Sequence, residues 1–333
     1  MNDAPTSPRI LVIKMSSLGD LFHALPAVRA LKAGLHATVD WVVQPEYTEL
    51  ARCFTDVDRV IVFPRRGFWK GLAGFARTLR EREYDLVIDL QGLAKSAFVA
   101  RLARGRRRIG PSFHREGAHL LYGEVAGVRN KERHAVEEVL DVVRHLGLEA
   151  HAPVFPVSFP KKTLVEPSPR VALVPCSRWI TKNWPAERFA EVGLELRKLA
   201  GATIFLIGSK ADVEACRGIE SRIGRDVVNT AGATSLAEMG SLLQEMDLVI
   251  TVDSGPMHVA AAVGRPVLAL FGATDPKRTG PYGSQHRILV SPSASCRPCL
   301  SGSCREGKMS CLLDIPAADV VRAALDMLGV STR

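Results

Sequence analysis

Short runs of branched apolar residues alternate along the chain with stretches in which apolar positions recur every three or four residues. Residues 10–13 (ILVI), 38–43 (TVDWVV), 59–63 (RVIVF), 85–90 (DLVIDL) and 107–110 read as strands of the first half, the apolar ones as strands buried on both faces. Between them, helices are predicted from Asp20 as N-cap, after a turn at Ser16, Ser17 and Gly19, and over 72–82, 95–104 and 132–146, where Val136, Val139, Leu140 and Val143 mark one face and Gly147 ends the run. The second half repeats the logic. Strands are predicted at 171–174, 203–207, 247–252 and 266–271, with helices at 186–199, 211–223, 235–246, after Ser254, and at 317–328. Pro26 is the one oddity, lying inside the first helix.

Strand–helix alternation of this kind predicts an α/β protein with parallel sheets. The prolines Pro153, Pro156, Pro160, Pro167 and Pro169 punctuate a stretch with little periodicity, which reads as an interdomain linker. The predicted organisation is a Rossmann-like domain over 9–152, a linker over 153–169, a second Rossmann-like domain over 170–315 and a C-terminal helix over 316–330, with the two domains facing across a cleft.

Charge changes this picture in one region. The formal net charge is +9, yet residues 59–115 hold 14 Lys and Arg against 4 Asp and Glu, so the remainder of the chain is close to neutral. A basic concentration beside strand ends and loops suggests an anionic partner, against the plainer reading of a solvated surface. Nucleic acid is disfavoured: no binding signature occurs, and 6% aromatic content offers no stacking platform. No apolar run approaches the ~18 residues of a membrane span, and the first residues, MNDAPTSP, lack the regions of a signal peptide, so a cytoplasmic protein is expected.

Candidate chemistry collects where predicted strands give way to helices, the place where open α/β sheets bind ligands. Asp20 follows the first strand. Its local pattern favours a helix cap, and the same position also suits a general base at the mouth of a cleft. Asp253-Ser254-Gly255-Pro256-Met257-His258 joins a strand to a helix start, where free N–H groups favour phosphate, though a plain capped helix reads the same way. Ser177, Arg178, Thr181 and Lys182 form a second polar loop, and Asp212 and Glu214 open another helix, either facing a ribose diol or serving the helix dipole. No GxGxxG fingerprint, Walker A loop, paired-His zinc motif or nucleophile elbow is present. Cys296, Cys299, Cys304 and Cys311 are spaced C-x2-C-x4-C-x6-C, which suits a four-thiolate structural zinc ion or simply reduced thiols. Cys53, Cys176 and Cys216 read as ordinary small residues.

The strings KMSSLGDLFHALPA, DLQGLAKSA, PCSRWITKNWP, TVDSGPMHVAAA and FGATDPKRTGPYG, in this order and spacing, resemble those of the ADP-heptose:lipopolysaccharide heptosyltransferases, glycosyltransferase family 9. The likeness runs from about Arg9 to about Gly283, and the first-half strings, with RRGFWK and RHAVEE, look most like the heptosyltransferase I branch. The cysteine run departs from that branch and keeps branches II and III open. The resemblance implies a GT-B fold, with an acceptor-binding first domain, a nucleotide-sugar-binding second domain, and a C-terminal helix packing back on the first. It implies an inverting, metal-free transfer of heptose from ADP-heptose to a Kdo–lipid A type acceptor, no cofactor, and peripheral contact with the cytoplasmic face of the inner membrane. By the same resemblance Asp20 matches the catalytic base. Ser177, Lys182, Ser254, Gly255 and His258 match diphosphate contacts, Asp253 a heptose contact and Asp212 a ribose contact. Ser17, Arg65, Arg66, Lys70, Arg115 and His134 match or neighbour acceptor positions. A nucleotide-sugar 2-epimerase on the same fold and a non-catalytic module for anionic ligands are the alternatives. The first needs further acid–base groups, and the second has no use for Asp20, Lys182 or the 253–258 turn.

Overall fold

The central strands form where the apolar runs are longest, because a strand covered on both faces must offer apolar side chains to each. The computed structural model of the protein describes residues 7–65 and 68–330, with the backbone only at 68–70. Ile10 to Ile13 and Val171 to Leu173 have no exposed surface. Burying each such side chain stabilises the fold by ~1.5–3 kcal/mol.

The chain divides between Ser158 and Phe159 into two compact units. The first holds β1 (Arg9–Ile13), β2 (Thr38–Val43), β3 (Arg59–Val62), β4 (Tyr84–Asp89), β5 (Gly105–Pro111) and β6 (Glu124–Ala126) in one sheet. The order is β3-β2-β1-β4-β5-β6 and every pairing is parallel. The second holds β7 (Arg170–Val174), β8 (Thr203–Leu206), β9 (Val227–Asn229), β10 (Leu248–Val252), β11 (Val267–Phe271) and β12 (Arg287–Val290). Its order, β12-β11-β10-β7-β8-β9, is likewise parallel throughout. Numbered within its own unit, each sheet reads 3-2-1-4-5-6, the doubly wound Rossmann order. Strand order therefore reverses between β1 and β4 in one unit and between β7 and β10 in the other.

Several elements depart from the pattern-based expectation. Three edge strands, β6, β9 and β12, lie outside the prediction: each is only three or four residues long and offers at most three consecutive apolar residues, too short a run to mark a strand. The predicted helix over 132–146 is two short helices, Ala135–Val139 and Asp141–His145, starting after His134 and broken at Leu140. Arg133 sits outside, its guanidinium bonded to buried Asp141 and to the Glu137 carbonyl. Helix Leu18–Leu35 runs through Pro26, forgoing one backbone bond inside a fully packed segment.

The stretch over 153–169 is not loose chain. Val157 bridges to Phe54 in the first unit, and the ring of Phe159, 5% exposed, lies against Gly240 in the second. The last helix, Ala317–Met327, shares the second unit's core with Phe189 and Leu196. Trp184 Nε1 and the Arg188 guanidinium both donate to the Ile315 carbonyl at its start.

Candidate functional site

In the first unit, the chain leaves β1 and enters helix Leu18–Leu35 with Ser17 as cap. Asp20 stands in the helix's first turn. Its Oδ2 accepts the Ser17 N–H at 3.0 Å and the Ser17 hydroxyl at 2.7 Å. Burial by itself would raise the carboxyl's pKa; the Lys14 ammonium, then His23 and the Ser17 donors, outweigh it and bring it to about 2. The side chain is closely surrounded but still 45% exposed, so water screens these charges, and the shift speaks to protonation state more than to stability. Lys14 was not anticipated. It sits at the end of β1, 5% exposed, its Nζ donating to the Leu90 carbonyl at 2.9 Å. The available signal was a lysine closing an apolar strand run.

The other side of the strand-order reversal supplies the turn after β4. Gln91 Oε1 accepts the Met15 and Ser16 N–H groups, tying this turn to the one after β1. Gly92 has φ +73°, a conformation that favours glycine, and its carbonyl accepts the Arg115 N–H at 2.8 Å. Arg115, exposed, is thus held beside the reversal. Asp89 is fully buried, which raises its pKa despite bonds from the Gln91 and Gly92 N–H groups and from Tyr122. The Tyr122 ring lies where any side chain on Gly110 would collide, about 2.0 Å from a Cβ there. His134 caps its short helix through Nδ1, and its ring meets that of His23 edge-on at 5.4 Å. His23 Nδ1 is 3.9 Å from Asp20. Asp20, Ser17, His134 and Arg115 therefore gather around the loops after β1 and β4.

Arg65 stands apart from that group, after β3, paired with Glu46 at 2.5 Å. Arg66 and the Lys70 side chain lie outside the described residues. The basic span itself is partly neutralised: Arg59 pairs with Glu81, Arg82 with Asp40, Arg106 with Glu83 and Asp85, and Arg107 with Glu124.

In the second unit, the loops after β7 and β10 again meet at the reversal. Lys182 Nζ is 2.8 Å from Asp253 Oδ2, which also accepts the Thr274 hydroxyl at 2.6 Å. The same ammonium lies 4.9 Å from the Trp179 ring centroid. The Ser177 N–H is held by Asn183 Oδ1 at 2.7 Å, and the Ser177 hydroxyl has no partner among the described residues. Ser254 caps helix Gly255–Ala262, its Oγ 3.2 Å from that of buried Thr251. Pro256 fills the second helical position at no cost in lost hydrogen bonds. His258 is 8% exposed in the first turn. A cation, a free hydroxyl and a helix start form an arrangement suited to a diphosphate. Thr274, Asn183 and Trp179 were missed as contributors. They stand in the strings quoted above, but as neutral side chains they gave no charge signal.

Asp212 lies at another strand end, after β8. Its Oδ2 accepts the Ser209 N–H and hydroxyl, and the Cys176 thiol beside it is pushed up to about 11, by burial first and by this carboxylate second. By their spacing the four C-terminal cysteines suit either a zinc site or reduced thiols; among the described residues, no three His, Cys, Asp or Glu side chains are placed to hold a metal ion. Among the described residues, no helix is long and apolar enough to cross a membrane.

Comparison with known proteins gives these two groups of residues a context. The profile of glycosyltransferase family 9 (heptosyltransferase) matches residues 72–310. Lipopolysaccharide heptosyltransferase 1 of Pseudomonas aeruginosa is 30% identical over 325 residues, covering 89% of this chain and 87% of the relative. The structure of E. coli heptosyltransferase WaaC with ADP superposes at a TM-score of 0.80 with 25% identity, covering 96% of this chain and 99% of that one. The form of WaaC with ADP-2-deoxy-2-fluoro heptose gives 0.78 at 25% identity, with the same coverage. With its profile matched over most of its length and two Rossmann-like units of one topology, the chain belongs to glycosyltransferase family 9, the heptosyltransferases.

Proposed function

We propose that this glycosyltransferase moves heptose from ADP-heptose to the Kdo of a lipid A-linked acceptor in lipopolysaccharide inner-core synthesis. The observation that carries the reading is the matched placement of polar groups at both strand-order reversals: Asp20 in the first unit, and Lys182, Asp253 and Ser254 in the second. In the reaction, Asp20 takes the proton of the Kdo hydroxyl as that oxygen attacks the anomeric carbon. The carbon–oxygen bond to the diphosphate breaks on the opposite face, inverting the centre, and ADP departs. Charge grows on the diphosphate, where Lys182, the Ser177 hydroxyl and the helix start at Ser254-Gly255 stabilise it, with His258 in the same turn. Asp253 holds both Lys182 and the sugar, and Asp212 faces the ribose. Ser17, Arg115 and His134 serve the acceptor near Asp20, and Arg65, Arg66 and Lys70 its anionic groups farther out. The exposed basic surface rests against the anionic inner leaflet.

The test is product mass from ADP-heptose and acceptors truncated at defined sugars. One heptose should add to Kdo–lipid A, and none to an acceptor that already carries it. Transfer confined to the heptose-bearing acceptor would move the enzyme to the second or third step. Family membership supports transfer over epimerisation or passive binding.

A further inference from the structure

The loops carrying Lys182 and Thr274 are both fastened to one stretch of chain, residues 297–302, inside the cysteine-bearing segment. The Thr181 hydroxyl, on a residue 2% exposed, donates to the Ser301 carbonyl at 2.6 Å. Gly302 lies against the Trp179 indole, 3.7 Å from where its Cβ would stand, and that indole supports the Lys182 ammonium. On the other loop, the Leu300 N–H donates to the Ala273 carbonyl and Arg297 Nε to the Gly272 carbonyl, each at 2.8 Å. The two loops also touch directly: a Cβ on Gly272 would stand 3.0 Å from the Thr181 carbonyl. Lysine has a long, flexible stem, and fixing it before the ligand arrives removes an ordering cost from binding.

We propose that residues 297–302 clamp the donor loops, and that Thr181 is the positioning residue through which the clamp fixes Lys182 against Asp253. The clamp rests on reading Lys182 as the cation for the donor diphosphate. Thr181→Val removes the bond to Ser301 at nearly constant volume, whereas Thr181→Ser keeps it. In the full-length enzyme, Thr181→Val should raise both the ADP Kd and the KM for ADP-heptose ~5–10-fold, the scale of one hydrogen bond. Acceptor KM should be unchanged, and Thr181→Ser should restore the donor values. Arg297→Met reaches the same clamp from a partly exposed position, and its smaller rise in donor KM keeps the idea testable if Thr181→Val folds poorly. A donor KM within ~2-fold of wild type in both variants would overturn the clamp, as would equal losses in Thr181→Val and Thr181→Ser. Lys182→Ala separates the two levels. If it leaves ADP affinity unchanged, the donor reading itself falls; if it weakens ADP while Thr181→Val does not, only the clamp falls.

Discussion

Ser17-x-x-Asp20 and Ser209-x-x-Asp212 are the same local device: a carboxylate one turn into a helix accepting the N–H and hydroxyl of the serine before it. Local sequence cannot tell a base from a cap here, because both satisfy the same helix end. Surroundings separate them. Asp20 has a buried lysine and an edge-on pair of imidazoles nearby, and Asp212 has a thiol. Asn caps a helix about as well as Asp, so Asp20→Asn should fold and bind ADP as wild type does while losing ~10²–10⁴-fold in turnover, the usual cost of a general base. Near-wild-type turnover would leave Asp20 a cap. The pH dependence has a definite sign. With a pKa of about 2, below the usual 3.8, Asp20 is ionised throughout the neutral range. What its ionisation adds to stability is present above about pH 4 and lost as pH falls toward about 2. An acid limb in kcat/KM near pH 6 that disappears in Asp20→Asn would contradict this protonation state.

At the scale of elements, helix Phe68–Arg80 shows what composition can and cannot say. Phe75 and Leu79 pack inward, Phe75 edge-on to Phe63 at 5.4 Å. Arg77 and Arg80 are exposed and have no ion-pair partner among the described residues, unlike Arg59, Arg65, Arg82, Arg104, Arg106 and Arg107 of the same basic span. Reversing both (Arg77→Glu with Arg80→Glu) should weaken salt-sensitive binding to vesicles containing phosphatidylglycerol, leaving kcat on a soluble acceptor unchanged. Unaltered vesicle binding at low salt would remove this helix from any membrane contact. Charge counting found the span because the excess is large, but could not show that Arg59, Arg82, Arg106 and Arg107 are occupied by nearby carboxylates. The central strands and the edge strand β3 were legible because they carry apolar runs of about four residues, while β6, β9 and β12, with only two or three consecutive apolar residues each, were not. Of the site, the charged residues at strand ends were legible. Asn183 and Thr274 were not, and Thr181 was legible only as part of a polar loop, since a neutral side chain becomes informative only once its partner across the fold is known. In the cysteine-bearing segment, residues 297–302 lie against the Lys182 loop in space, a contact that spacing along the chain does not show.

Taken whole, the molecule uses one topology twice and gives each copy different chemistry at the same place. The reversal between β1 and β4 receives a carboxylate with its charge neighbours, and that between β7 and β10 receives a cation, hydroxyls and a helix start. The partners that hold Asp20 all belong to the first unit, and those that hold Lys182 to the second. Each unit also closes its own apolar core. Donor affinity should therefore be a property of the second unit, and proton abstraction a property of the first. Amide hydrogen exchange with and without ADP reads this division directly, because a ligand that binds only the native state slows opening wherever it must leave first. At 100 times its Kd, ADP adds ~2.7 kcal/mol against such openings, a slowing of ~100-fold where exchange requires the ligand to leave. Protection should appear in peptides covering 175–184 and 252–262, and in 297–302 if the clamp moves with the donor loops. Peptides covering 14–20 and 89–93 should exchange as in the free enzyme. Strong protection of 14–20 by ADP alone, without sugar or acceptor, would show that the nucleotide is held by the first unit as well. Asp20 would then have to be reconsidered as part of the nucleotide site.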